Sequence, residues 1–261
     1  MPLGGGAWSF KTMKDKDPAK FFFPETGAGG FSRVDSTVQF YERVNALVNS
    51  ESVLLDFGAG RGRFHFDDLV HYRRKLRDFR GKVREVIGAD VDPIVTTNPS
   101  LDQALVLDRC GSIPLPPQSV DLIISDFTFE HIQDPAVIAN ELDRVLVPGG
   151  WICARTPNRY GYVALANQLV PEFVRMRVLG FVQPGKNEKD TFKTFYRLNT
   201  YGALRRYFKP SEYDHFTYSW DAEPAYHANS KVLYRLFLMF HFLTPWPLRT
   251  LLLIFLQKKI K

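Results

Sequence analysis

The chain has 261 residues, 45% apolar and 14% aromatic, which suffices for one substantial core and excludes a disordered protein. Its two cysteines, Cys110 and Cys153, exclude a disulfide framework and a thiolate metal cluster, and read as buried free thiols in a reducing compartment. The net charge of +6 is uneven: residues 1–150 carry 17 Lys/Arg against 21 Asp/Glu, and residues 151–261 carry 17 against 7. An acidic first half suits a cationic ligand; a basic second half suits phosphates, lipid headgroups or nucleic acid.

Along the chain, Met1 to Met13 lacks an apolar stretch after a basic start, so no secretory signal is read and a cytoplasmic protein is expected. Residues 1–35 form a flexible N-terminal arm, pinned at most by Phe21-Phe22-Phe23. Val38, Tyr41, Val44, Leu47 and Val48 recur at helical spacing and predict a helix over Val38–Val48. A strand and helix alternation follows. The predicted strands are Ser52–Asp56, Val83–Ala89, Ala104–Leu107, Val120–Ser125 and Trp151–Arg155, the first four ending at or just before Asp56, Asp90, Asp108 and Asp126. Continuous apolar runs of this kind predict a parallel sheet covered on both faces. Ligands of such sheets bind at the carboxyl ends of the strands, where these acids should converge.

Asp56-Phe57-Gly58-Ala59-Gly60-Arg61-Gly62 lies between a strand and a helix. Alternate glycines let the backbone turn tightly and approach a ligand with no Cβ in the way. A dinucleotide fingerprint would need Gly at 58, 60 and 63, and position 63 is Arg. Asp56 would also repel a pyrophosphate, while it suits a ligand bearing an ammonium and a sulfonium.

With these features the chain resembles class I S-adenosylmethionine-dependent methyltransferases, in particular the small-molecule branch that includes quinone-biosynthesis enzymes. The resemblance is carried by Val53–Gly62 (VLLDFGAGRG), Val86–Pro93 (VIGADVDP), Ile113–Asp126 (IPLPPQSVDLIISD), Glu130-His131 and Arg144–Asn158 (RVLVPGGWICARTPN). It implies an α/β, Rossmann-like fold: a mostly parallel seven-stranded sheet, helices on both faces and an antiparallel C-terminal strand. It also implies one methyltransferase domain over 36–261, with a cofactor half at 50–157 and a substrate-facing half at 158–261. S-adenosyl-L-methionine is the implied cofactor. Asp56, Phe57, Gly58, Ala59, Gly60 and Gly62 would line its methionine part, Asp90 and Val91 its ribose, Asp108 and Arg109 its adenine, and Asp126 and Phe127 the sulfonium. A second reading stands beside each acid: Asp56 and Asp90 as helix caps, Asp108 as a loop acid, Asp92 as a cap before Pro93. Arg61 and Arg63 read as solvated helix-start residues. The span from Asp56 to Asp90 is about ten residues longer than the family's norm. The extra length, near Asp67–Arg84, is rich in Arg73, Arg74, Lys75, Arg77 and Arg80, and reads as a solvated helix or as a basic lid over an anionic substrate.

Methyl transfer needs alignment of the acceptor and exclusion of water, and a hydroxyl acceptor needs a base. His131 is the first candidate base, with Glu130 as a possible orienting partner, and Asp126 is the alternative. Asn158, Arg159 and Tyr160 follow the fifth strand on the crevice side and are candidate substrate contacts. Asp190–Thr200 mixes aromatic and basic groups and reads as a pocket wall or a packed connector.

Val232–Leu256 is apolar but broken by Arg235, His241, Pro245, Pro247 and Arg249, which argues against a membrane span. Thr250–Gln257 is the expected last strand, with Tyr213–Ser219 as its partner. That leaves Ser230–Leu243 as an inserted helix, apolar nearly all round: buried, or pressed on an anionic membrane surface through 230–261. The expected function is O- or C-methylation of a small-molecule or lipid- or glycan-linked acceptor, in the cytoplasm or at the inner face of a membrane, with no metal. The alternatives are an RNA methyltransferase and a non-catalytic cofactor-binding protein.

Overall fold

The computed structural model describes residues 18–108, 111–169, 193–224 and 227–260. Its strands are β1 (Val53–Phe57), β2 (Glu85–Asp90), β3 (Gln103–Val106), β4 (Val120–Asp126), β5 (Leu146–Pro157), β6 (Tyr213–His215), β7 (Tyr218–Trp220) and β8 (Leu251–Lys258). They form one sheet in the order β3-β2-β1-β4-β5-β8-β6, with β7 also beside β8. Strands β1 to β5 pair in parallel, and β8 runs antiparallel to β5, β6 and β7. The expected seven strands are eight by hydrogen bonding, because the last partner of β8 is in two pieces. The register is the same on both sides of the break, with His215 opposite Leu256 and Tyr218 opposite Leu253. Strand β5 begins earlier than predicted, since Leu146 already pairs with Val120 and the Val147–Gly150 turn is absorbed as an irregularity before Trp151.

Period-two alternation explains how such apolar strands cover two cores. In β8, Leu252, Ile254 and Leu256 point to one face, where they join Leu55, Phe57, Ile123, Ile152 and Ala154. Leu253 and Phe255 point to the other, with Leu54, Leu122, Ile124 and Cys153. Eight helices flank the sheet among the described residues: α1 (Pro18–Phe22), α2 (Ser36–Leu47), α3 (Arg63–Asp67), α4 (His71–Arg77), α5 (Pro135–Val145), α6 (Tyr162–Leu169), α7 (Tyr201–Tyr207) and α8 (Lys231–Leu243). Ala139, Leu142 and Val145 of α5 and Leu204 of α7 close the first core; Val38, Phe40, Tyr41 and Val44 of α2 and Leu76 of α4 close the second. Helix α2 starts at Ser36 because the Asp35 carboxylate accepts the amides of Thr37 and Val38 at 2.8 and 3.0 Å.

The stretch expected as a loose arm is part of the fold from Pro18 onward, and residues 1–17 lie outside the described ones. Phe23 is buried, Phe22 stacks on Tyr234 of α8 at 5.2 Å, and the Arg33 guanidinium lies 5.2 Å over the Phe23 ring. Aromatic burial outweighs the polar, glycine-rich composition that suggested disorder. Helix α8 forms where predicted, but Tyr234 is its one buried residue, so core packing does not account for its outer face. No described helix is long and apolar enough to cross a membrane.

Truncation of Phe23 tests the docking of this segment. Phe23→Ala is expected to cost about 3 kcal/mol in urea unfolding; an unchanged midpoint would mean that residues 18–35 are loosely attached.

Candidate functional site

The order β3-β2-β1-β4-β5 reverses direction between β1 and β4, and the carboxyl ends of the strands open a crevice at that switch. The glycine loop enters it directly from β1. The Gly58 amide donates to the Ala89 carbonyl of β2 at 2.7 Å, and a Cβ at Gly58, whose φ is +83°, would collide with the Thr128 side chain. At Gly60 the requirement is different: φ is +49°, and a Cβ there would meet no protein atom within 4 Å. So the loop is clamped by its neighbours at Gly58 and open above Gly60, which is the form a backbone cradle for a ligand takes. Ala59 packs against the core and Gly62 caps α3, with the Asn98 amide closing the loop from below by donating to the carbonyls of Ala59 and Gly60.

Two acids frame the cradle. Asp90 accepts the Gly60 amide at 2.9 Å on one carboxylate oxygen and the Asp92 amide at 2.9 Å on the other. It therefore fixes the loop, while each oxygen keeps a lone pair for a further donor. Among the described residues Asp56 has no such partner. Burial, reinforced by the charge of Asp126 and opposed by Arg77, pushes its carboxyl up to about 7. A carboxyl raised in this way favours a cationic neighbour, which restores its charged form. These features fit an aminoacyl sulfonium cofactor. Val91 is exposed beside Asp90, and Asp92 caps the short helix Pro93–Thr97 as its second reading had it. Asp108 lies exposed after β3, and Arg109, like Cys110, lies outside the described residues.

Asp126 is placed as a charge anchor, a role that conflicts with its expected use as alternative base. Its carboxylate takes a two-pronged pair from Arg155 (Nε to Oδ1 2.7 Å, Nη2 to Oδ2 2.8 Å), the Tyr41 hydroxyl at 3.1 Å and Arg77 Nη2 at 3.3 Å. Burial disfavours its charge, but Arg155, then Arg77 and Tyr41, outweigh burial and hold the carboxyl below the usual range. A carboxylate so stabilised is a weak proton acceptor. Arg155 is itself buried, and its Nη1 donates to the hydroxyls of Ser36 and Thr37 at 3.1 and 2.8 Å. One guanidinium thus ties β4, β5 and the start of α2 together. Phe127 follows with a left-handed φ of +57° and sets its ring 4.9 Å from the Arg155 guanidinium.

Glu130 and His131 do not act as a pair. The Glu130 carboxyl is buried and accepts the Thr156 hydroxyl at 2.8 Å; Thr156 in turn accepts the Asn199 amide at 2.6 Å. Burial pushes Glu130 up to about 7, against the hydrogen bonds it accepts. His131 is oriented from elsewhere: its Nδ1 lies 3.0 Å from the Lys193 carbonyl. A carbonyl can only accept, so Nδ1 carries a proton in this contact, which leaves Nε2 as the basic nitrogen of the corresponding tautomer. The amides of Phe195 and Tyr196 donate to the Glu130 carbonyl, and Tyr196, Leu198 and Asn199 are buried. Residues 193–200 are therefore the packed connector of the two readings, and residues 190–192 lie outside the described ones.

Asn158 is a correction. It is buried with its amide donating to the carbonyls of Pro247 and Arg249 at 2.9 and 2.8 Å and its oxygen accepting the Tyr160 amide at 3.1 Å. Every polar group it owns is spent on backbone, so it staples the end of β5 to the segment before β8 and is not a substrate contact. Arg159 and Tyr160 remain exposed beside it. The arginines of the long β1–β2 connection are largely neutralised: Arg73 pairs with Asp35 and Asp68, Arg80 with Asp102, and Arg77 reaches Asp126. That leaves little of a basic lid. Among the described residues no group of His, Cys, Asp and Glu gathers as a metal site would require.

Arg155 and Tyr41 carry much of the site's electrostatics without having been singled out as site residues, and Arg77, read from the sequence only as part of a basic stretch, joins them. One signal was present: Arg155 closes an apolar run, and a charge in a covered strand demands a counter-charge.

A family model described as a methyltransferase domain matches residues 55–154. The chain is 38% identical over 79 residues to a protein of Mycolicibacterium smegmatis named a probable S-adenosylmethionine-dependent methyltransferase. That match covers 29% of this chain and spans about a third (31%) of the relative's own length. Two solved structures share the fold. One is an S-adenosylmethionine-dependent methyltransferase of Mesorhizobium loti, with TM-score 0.50 and 14% identity over 85% of this chain and 98% of that one. The other is a geranyl diphosphate C-methyltransferase of Streptomyces coelicolor, solved with S-adenosyl-L-homocysteine, with TM-score 0.52 and 12% identity over 86% and 79%.

Two outcomes test this electrostatic reading. Arg155→Met leaves Asp126 buried and undercompensated, and should cost about 3 kcal/mol. Asp126→Asn added to it should recover part of that loss, whereas simple additivity in a double-mutant cycle would deny the coupling. Glu130→Gln addresses pH. A carboxyl raised in the fold binds its proton more tightly there than in the unfolded chain, so the native protein loses stability as pH rises from about 4 to 7. The variant lacks that slope, which is at most about 1.4 kcal/mol per pH unit. Relative to native it should gain stability across that window and hold the gain above pH 7; parallel pH profiles would refute the assignment.

Proposed function

We propose that this chain, whose residues 55–154 match a methyltransferase-domain model and which resembles a probable S-adenosylmethionine-dependent methyltransferase over 79 residues, is a class I S-adenosylmethionine-dependent methyltransferase that methylates oxygen or carbon on a small-molecule or lipid- or glycan-linked acceptor. One juxtaposition carries the reading. The open backbone at Gly60 lies between Asp90, bonded to it, and Asp56, whose raised carboxyl is poised to meet a positive charge. S-adenosylmethionine, when bound, supplies a methyl group on a sulfonium that leaves as a neutral thioether. The protein's part is then to hold, align and deprotonate. Gly58 to Gly62 present backbone to the methionine part, Asp56 balances its ammonium, and Asp90 receives the ribose hydroxyls. Phe127 sits at the end of β4 with its ring partly exposed, where it excludes water from the reacting side.

For a hydroxyl acceptor the proton goes to His131 Nε2. The Lys193 carbonyl keeps the ring in that tautomer, and the Glu130–Thr156–Asn199 chain holds the turn that carries it. Asp126 stays ionised and bound to Arg155. Its place is to keep the arginines and Tyr41 in position around the crevice.

Calorimetric titration with S-adenosyl-L-homocysteine tests the cofactor reading. Binding should strengthen from pH 6 to pH 8, because Asp56 must lose a proton to meet the ammonium. Asp56→Asn should weaken binding by about tenfold or more and abolish the Asp56-linked proton release. No binding by the native chain would overturn the family function. His131→Gln should lower turnover by about a hundredfold or more with cofactor affinity unchanged. For the acceptor, methyl label from S-adenosylmethionine should enter the lipid or small-molecule fraction of a cell extract; label confined to nuclease-sensitive material would replace this reading with RNA methylation.

A further inference from the structure

Helix α8 turns one face to the protein and leaves the other uncovered by the described residues. Tyr234 is fully buried against Phe22 and Phe23, and Phe237 and His241 pack on Tyr162 of α6 with ring centroids 5.8 and 5.7 Å apart. Positions 234, 237 and 241 are one stripe of a helix. The opposite stripe is Val232, Leu236, Met239 and Leu243, which are 73, 56, 54 and 72% exposed. Phe242 beside it is 88% exposed, and Trp246 in the following turn 60%. Monomeric proteins rarely present so continuous an apolar strip to water without a partner.

We propose that the outer face of α8 docks this protein on an anionic lipid bilayer, with the helix lying in the plane of the interface. The helix is 13 residues, so about 20 Å long, and cannot span. Its charges select the occupant. Lys231 and Arg235 are on the helix, and no Asp or Glu occurs from His227 to Ile260; the other three cations of that stretch, Arg249, Lys258 and Lys259, pair with Asp221, Asp143 and Asp214, so the two on the helix carry the patch's charge. Lys231 lies 4.4 Å over the ring of Phe21, itself 63% exposed, so the patch continues onto the N-terminal segment as another aromatic and cation. Apolar side chains with flanking long cations match the boundary between acyl chains and acidic headgroups, where Lys and Arg extend their heads outward. A symmetric second copy fits poorly, because an isologous contact would set an acid-free, cationic helix against itself.

The position of the helix gives the docking a use. Tyr162 begins α6 just after β5, and Asn158 at the end of β5 holds the carbonyls of Pro247 and Arg249 behind α8. The docked edge is thus the crevice edge, which would bring a lipid-borne acceptor to the site; that consequence rests on the methyl-transfer reading, while the docking does not.

The test is flotation of the 261-residue chain with vesicles of phosphatidylcholine alone and with added phosphatidylserine, at low and high salt. Native protein should float with the phosphatidylserine vesicles and be released by salt. Leu236→Glu with Met239→Glu, both at exposed positions, should weaken flotation by more than about tenfold. Arg235→Glu alone should weaken it by about fivefold or more. Binding of S-adenosyl-L-homocysteine should be unchanged in all variants, which separates a failure of docking from a failure of the cofactor reading. Absence of flotation at low salt, variants that float as well as native, or a native dimer that the double variant dissolves and that does not float, would each overturn the proposal.

Discussion

The pairing of Asp126 with Arg155 is the constraint on which the crevice depends. Neighbouring parallel strands place the side chains of their last paired residues within reach of each other. Here that last pair of β4 and β5 is an acid and a guanidinium, Asp126 opposite Arg155 in register. A buried charge pair is a weak contributor to net stability, because desolvation consumes most of the attraction. What it supplies is geometry. With two parallel hydrogen bonds to Asp126 and two more to Ser36 and Thr37, Arg155 has one available orientation. The start of α2, and with it Tyr41, is fixed over the ends of β4 and β5.

That anchor sorts the acids of the crevice. Asp56 and Asp126 sit on adjacent strands, close enough for each to disfavour the charge of the other. The arginines settle the competition: Asp126 takes both Arg155 and Arg77 and stays ionised, and Asp56 is left with a raised carboxyl. One site thereby holds a permanent anion as scaffold beside a second acid whose carboxyl is raised. Two carboxyls whose environments push them apart in this way have separate roles even though the sequence presents both as the same feature, an Asp at the end of an apolar run.

That equivalence marks the limit of what the sequence made legible. Strand positions were readable because burial on both faces demands unbroken apolar runs, and β1, β2, β4 and β8 fall within two residues of their predicted bounds. The glycine loop was readable because backbone approach is a local requirement. The roles of Asn158 and Glu130 were not, since each is decided by groups distant in sequence: the carbonyls of Pro247 and Arg249 for one, Thr156 for the other. Polarity near a crevice does not show whether a side chain faces a ligand or satisfies buried backbone. Arg155 was the exception that could have been found, as a lone charge in a covered strand has to be answered by a neighbour. The arginines of the long β1–β2 connection mislead in the opposite direction: as a sequence cluster they suggest a basic surface, and the structure sets acids from three other segments against them.

The same reasoning separates the two apolar stretches near the C-terminus, which composition alone treats as one. In β8 the alternating side chains reach both cores, and Leu252 to Leu256 are buried throughout. In α8 the period of 3.6 brings only one residue in three or four to the protein, so a helix apolar all round must leave most of its apolar surface outside unless something else covers it. A strand can spend every apolar residue in a sheet with two covered faces; a helix at the edge of that sheet cannot. An outward apolar stripe is thus an unavoidable result of placing this sequence as a helix there, and its retention beside the crevice is what calls for a partner.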